Sequence, residues 1–379
     1  MLLRRHSRCI ARGKLPAAGL ALLASLLIGL APVARADILI GAVGALTGPN
    51  AYLGEQHQHG VEAAVADLNA VGGVLGQQVR VLMLDDACDA DQAVAAAQRL
   101  VAAKVAFVAG HLCSGASIPA AKVYDEAGII QMTSASTHPR LTEEGRANVF
   151  RICGRDDQQG TIAGDHLAEH WRDARIAILH DGSVYGKGLA DETRGQLGKR
   201  GIREALYEGL VPGQSDYAPL VAKLRAAGIA VAYYGGYHQE AALLVREARA
   251  QGYDLQFVSG DALATDTFWQ ITGPAGEGTR FTFFSDARRH RAAAEVVERF
   301  RQQGFEPEGY TLYSYAAVQA WAQAVAKAGT LDTKAVIAAL RAHEFDTVLG
   351  RIGFDHKGDV KQPGFAWYVW QGGRYLPHD

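Results

Sequence analysis

From residue 37 onward, short apolar runs alternate with amphipathic stretches. Residues 38–43 read as a strand, followed by a glycine-rich turn and a helix over about 55–71. The next strand spans 79–84, and Asp89 or Asp91 caps a helix that runs to Ala103. Residues 105–108 form a buried strand, 110–114 a tight turn, and a helix starts at Ala116. Residues 129–132 make another strand. This alternation predicts a parallel sheet covered by helices on both faces. After Arg151-Ile152-Cys153-Gly154 the pattern restarts. Helices are expected over about 159–171, 185–200, 217–227 and 238–251, with strands over 175–180, 229–234, 255–258 and 279–284. Three helical stretches follow (291–303, 313–328 and 333–342), and 350–370 returns to β character. The fold class is therefore α/β, and two doubly wound parallel-sheet lobes of similar size are the economical arrangement.

The strand ends carry the candidate chemistry. Ser114 stands where a helix N-terminus exposes unpaired N–H groups, a receptor for a small carboxylate or other anion. One strand further, Thr133-Ser-Ala-Ser-Thr-His138-Pro139 forms a second hydroxyl-rich turn. It belongs at the same carboxyl edge of the sheet, where open α/β folds bind ligands. Ser and Thr equally serve as caps and turn formers, so pattern alone leaves both readings open. In the second half, Tyr233-Tyr-Gly-Gly-Tyr237-His238 and Ser259-Gly-Asp261-Ala262 end two strands. Facing those hydroxyl turns, Tyr237 and Asp261 would complete a cleft suited to a zwitterion.

Composition changes the picture at the N-terminus. Arg4, Arg5, Arg8, Arg12 and Lys14 precede an apolar run over 17–33 that ends in Ala34-Arg35-Ala36, a small-x-small cleavage site. Residues 1–36 are expected to be a cleavable export signal. Residues 37–379 then carry 32 Lys+Arg against 40 Asp+Glu, a formal charge of −8. That argues against nucleic acid as a partner and suits a freely diffusing protein. Cys88, Cys113 and Cys153 remain in the exported part. Cys88 and Cys113 each follow a neighbouring strand end and are expected to form a disulfide, adding roughly 3–4 kcal/mol by closing the loop. Cys153 is left as a buried thiol.

Other motifs fit less well. Gly41-Ala-Val-Gly44-Ala-Leu-Thr-Gly48 lacks the G-x-G-x-x-G spacing of a dinucleotide turn. His166-Leu-Ala-Glu169-His170 matches the inverted zinc-peptidase pattern H-x-x-E-H, with both His on one helical face. A solvated helix face explains it as well, and no third ligand is evident. Neither G-x-S-x-G nor C-x-x-C occurs, and the dense Asp85, Asp86, Asp89 and Asp91 lack EF-hand spacing. No cofactor or metal is expected, and no catalysis.

The chain resembles the periplasmic leucine/isoleucine/valine-binding proteins of branched-chain amino-acid ABC transporters. The resemblance covers essentially all of 37–379. It rests on Gly48-Pro49, Asp85-Asp86-Ala-Cys88-Asp89, Gly110-His-Leu-Cys113-Ser114, Tyr185-Gly-x-Gly188-Leu-Ala190, Tyr233-Tyr-Gly-Gly-Tyr-His238 and Asp355-x-Lys-Gly-Asp359. It implies a type I periplasmic binding protein fold with a three-crossover hinge near 154–157, 284–288 and 350–360. Lobe 1 would comprise 37–154 and 286–355, and lobe 2 155–285 and 356–379. The resemblance assigns the ligand carboxylate to Ser114, Ala135 and Thr137, the ammonium to Tyr237 and Asp261, and cleft closure to Tyr185. Leu53 aligns with the family's pocket aromatic, with Tyr52 one position earlier. Asp261 stands where the family usually has Glu. The implied function is capture of a branched-chain or other small aliphatic amino acid for an ABC permease by a monomeric receptor. The rival readings are a sensor of the same fold for an amide or organic acid, and a zinc hydrolase built on His166, Glu169 and His170.

Overall fold

The computed structural model describes residue 7 and residues 36–214, 216–361 and 363–378. The expected export signal, apart from residues 7 and 36, lies outside the described residues. No helix among the described residues is long and apolar enough to cross a membrane.

The first sheet holds β1 (Ile38–Gly44), β2 (Val79–Asp85), β3 (Phe107–Gly110), β4 (Ile130–Thr133) and β5 (Val149–Arg151) in the order β2-β1-β3-β4-β5. Every pairing in it is parallel. Its helices are α1 (Ala51–Ala70), α2 (Ala90–Ala102), α3 (Ser114–Ala127) and the single turn α4 (Arg140–Glu143). Asp89 caps α2 by accepting the Gln92 N–H at 2.9 Å. Helix α1 begins before residue 55 because Tyr52, Leu53, Gln56, His57 and Gly60 lie on its buried face.

The chain continues through α5 (Asp156–His170), β6 (Ile176–His180), α6 (Val184–Lys199), β7 (Leu206–Gly209), α7 (Ala218–Ala226), β8 (Val231–Gly235), α8 (His238–Ala250), β9 (Gln256–Ser259), α9 (Asp266–Thr272) and β10 (Arg280–Phe284). Three helices follow, α10 (Ala294–Gln302), α11 (Thr311–Ala328) and α12 (Thr333–Ala342). Helix α11 lies on the first sheet. The Trp321 and Phe107 rings stack at 5.0 Å, and a Cβ on Gly60 would meet the Thr311 carbonyl oxygen at 2.2 Å. The last strands are the hairpin β11 (Glu344–Thr347) and β12 (Gly350–Gly353), then β13 (Phe365–Gln371) and β14 (Arg374–His378).

The second sheet runs β14-β13-β10-β9-β8-β6-β7. It departs from the all-parallel expectation, since β13 pairs antiparallel with both β10 and β14. A two-residue turn at Gly372 and Gly373, with φ of 55° and 86°, reverses the chain there, and only glycine adopts such a pair without strain.

Both sheets are doubly wound, and strand order reverses between β1 and β3 in the first and between β6 and β8 in the second. Open α/β sheets bind ligands outside the strand carboxyl ends at such switch points. The loops after those four strands lead to Tyr52, Ser114, Tyr185 and Tyr237.

Candidate functional site

These four loops meet. Tyr52, Leu53, Leu112, Ser114, Ala135, Tyr185, Tyr237, Asp261, Ala262 and Tyr310 line one small cavity. Seven of the eight residues expected from the sequence line it. The eighth, Thr137, is fully buried in the same loop as Ala135.

One wall is built around the first residue of α3. A disulfide joins Cys88 to Cys113, with Cα atoms 5.4 Å apart, and so anchors the residue preceding Ser114. Cys153 is free and buried. Behind the disulfide, Asp86 accepts from Cys88 N–H at 2.9 Å and pairs with His111 at 2.7 Å, and the other His111 nitrogen meets Tyr124 at 3.0 Å. The 133–138 loop is pinned internally: Thr133 Oγ1 donates to the His111 carbonyl at 2.6 Å and accepts the Ser136 N–H at 3.0 Å. The His138 N–H donates to Ser114 Oγ at 3.3 Å. Thr137 Oγ1 lies beside the Asp156 carboxyl, but neither group makes an aligned hydrogen bond. The amides at the start of α3 and the Ser114 hydroxyl, whose own proton is free to donate, form a surface suited to a carboxylate.

The opposite wall is acidic and aromatic. Asp261 is 1% exposed, and its Oδ1 accepts from Tyr185 OH at 2.7 Å and Gln159 Nε2 at 2.8 Å. Tyr310 OH donates to Oδ2. Burial pushes the Asp261 carboxyl up to about 6, against the opposing hydrogen bonds from Tyr310 and Tyr185. Burial and the charge of Asp261 likewise push the Asp156 carboxyl upward. Two buried carboxyls in one low-dielectric region favour a cationic group beside them. The Tyr185 and Tyr237 rings pack at 5.2 Å, and Tyr52 OH reaches across to the Ala262 carbonyl at 3.2 Å. Asp261 at this depth thus meets tyrosine hydroxyls from both sides of the cavity.

Sequence reasoning missed Tyr310, Gln159, Leu112 and Ala262. Leu112 and Ala262 lie inside turns already singled out, but as apolar residues they carried no signal for a polar ligand. Tyr310 merely precedes an apolar helix and Gln159 sits in a polar stretch, and neither carries a local signal.

His166 and His170 do share a helical face, with ring centroids 4.1 Å apart. His166 also packs 4.1 Å from Trp367, and burial lowers its pKa to about 4. Glu169 pairs with Arg200 at 3.1 Å. No group of three or more His, Cys, Asp or Glu able to hold a metal occurs among the described residues.

Residues 37–373 match the sequence profile of the periplasmic binding protein family. A protein named Leu/Ile/Val-binding protein homolog 1, from Brucella suis biovar 1 (strain 1330), is 47% identical over 341 residues, covering 90% of this chain and 92% of that protein. Among solved structures, a leucine-binding protein from Thermotoga maritima superposes with a TM-score of 0.83 at 24% identity, over 90% of this chain and 98% of that one. An ABC transporter substrate-binding protein from Desulfitobacterium hafniense in complex with Leu gives 0.75 at 26% identity, over 90% and 100% of the two chains.

Proposed function

Because the chain belongs to the periplasmic binding protein family, we propose that it is the substrate-binding component of an ABC importer. Its ligand is a branched-chain or other small aliphatic amino acid, and it performs no chemistry on that ligand. The observation that carries the reading is the polarity of the cavity. The start of α3, with its amide and hydroxyl donors at Ser114, lines the same cavity as a buried carboxyl, Asp261. A zwitterion satisfies both walls at once. The 47% identity to a Leu/Ile/Val-binding protein homologue, and the leucine complex of the Desulfitobacterium protein, support an aliphatic amino acid.

In this reading Ser114, Ala135 and Thr137 receive the carboxylate. Asp261 and Tyr237 receive the ammonium, with Tyr185 orienting Asp261. Tyr52, Leu53, Leu112 and Tyr310 surround the side chain. The lobes divide at 154/155, 285/286 and 355/356, so ligand bridging the walls favours the closed arrangement through its differential affinity. Micromolar capture needs about −8 kcal/mol. Charge-assisted hydrogen bonds in a desolvated cleft plus burial of an aliphatic chain supply that order of energy. The export signal delivers the protein to the periplasm, and the closed form presents its cargo to the membrane permease.

The test is calorimetric titration of refolded, ligand-stripped protein (37–379) with the proteinogenic amino acids. Saturable 1:1 binding of aliphatic amino acids, lost in Asp261→Ala, is expected. No binding of any of them would overturn the reading.

A further inference from the structure

Three consecutive carbonyls of the 133–138 loop are tied down on one side. Arg151 Nη1 donates to Ser136 O at 3.1 Å and to His138 O at 2.9 Å, and Asp156 N donates to Thr137 O at 3.0 Å. A trans peptide directs its N–H opposite to its C=O. The 137–138 peptide obeys this: its carbonyl meets Asp156 N while its N–H meets Ser114 Oγ. The 136–137 peptide, with its carbonyl on Arg151, turns the Thr137 N–H toward the same side, where the hydroxyl turns gather.

The rest of the guanidinium is also engaged. Nε donates to Asp359 Oδ1 at 2.7 Å and Nη2 to Thr142 Oγ1 at 2.6 Å, and Arg151 is fully buried. Asp359 further accepts from Arg155 Nη1 at 2.8 Å. Its segment runs beside β5, where Arg151 N donates to Gly358 O and Val360 N to Arg151 O, each at 2.9 Å. Burial pushes the Asp359 carboxyl up, but Arg151 and Arg155 outweigh it and hold it below the usual range. One planar fork therefore joins the 133–138 loop to a distant part of the chain.

We propose that Arg151 is a positioning residue of the ligand site. It aims the Thr137 N–H at the ligand carboxylate and, through Asp359, makes its placement depend on the chain crossing near 350–360. The proposal rests on the amino-acid-receptor reading above. It differs from a purely structural role because it concerns one end of the ligand only.

The test compares leucine with leucinamide, and valine with valinamide, since each amide lacks the carboxylate. Arg151→Lys keeps the charge, but three donors on a flexible stem cannot reproduce the fork. Calorimetry should show leucine and valine affinity falling roughly tenfold to a hundredfold while the amides change little, so that discrimination collapses. Asp359→Asn, which leaves the guanidinium in place but loosens it, should act in the same direction and serves if Arg151→Lys does not fold. Equal weakening of acid and amide, or full retention of the acid's advantage in the variants, overturns the proposal while leaving the receptor reading intact. Failure of the unaltered protein to bind either amino acid overturns that reading and the proposal with it.

Discussion

Asp261 shows most directly how much one side chain's surroundings determine. Its carboxylate accepts from Tyr185 and Gln159 on Oδ1 and from Tyr310 on Oδ2, which leaves a lone pair on Oδ2 for a ligand ammonium. An ammonium binds the ionised form, so protonation competes with ligand, and affinity should fall as pH drops below about 6. The Tyr310 hydroxyl opposes the upward shift, so its removal lets the carboxyl rise further. Tyr310→Phe should therefore begin to lose affinity at a higher pH than the unaltered protein, a shift that calorimetry over a pH series would detect. Coincident pH profiles would show that the Tyr310 bond does not tune the receptor carboxyl. The position of Asp261 was legible because a carboxylate directly after a strand belongs at the sheet's carboxyl edge. Its partner Tyr310, 49 residues later, was not, because no local pattern encodes a contact made across a cavity.

Among the elements, α3 concentrates the most constraint. Its first residue contributes to the cavity, and the residue before it is fixed by the bond to Cys88, 25 positions earlier. In the chain-entropy model a loop of that length contributes about 3.5 kcal/mol. Replacing both cysteines by Ser should lower the unfolding free energy by about that amount in denaturant titration, and should weaken ligand binding because the start of α3 is released. An unchanged affinity would mean that the Asp86–His111–Tyr124 network alone holds the turn. The long elements were readable from periodicity, and α12 starts and ends where the pattern put it. Strands β5 and β7 were not, since three or four residues show no period and β7 is only partly buried. Helix α5 begins three residues before its expected start, and Asp157 suits the helix N-terminus by accepting the Gln158 N–H at 3.0 Å.

At the scale of the whole molecule, the two doubly wound sheets meet with their switch points facing one cavity, and contacts such as Tyr52 OH to Ala262 O and Tyr310 OH to Asp261 cross between them. Another is unusually tight. A Cβ on Gly188, in α6, would lie 2.5 Å from His138 Cδ2 and 2.7 Å from its Nε2. The His138 ring has limited freedom to withdraw, because its Nδ1 accepts the Arg140 N–H at 3.1 Å. A side chain at position 188 therefore opposes the arrangement in which the two walls approach, while an open arrangement would leave it in solvent. Glycine inside a helix is costlier than valine in intrinsic propensity, so the substitution carries no local penalty of its own. Gly188→Val should leave the thermal stability of the ligand-free protein undiminished, weaken amino-acid binding by roughly tenfold or more, and reduce the ligand-induced compaction measured by small-angle scattering. Loss of stability without ligand would show that the ligand-free chain already rests in the closed arrangement. Full affinity with full compaction would show that closure does not bring α6 against the 133–138 loop, and that ligand recognition works without it.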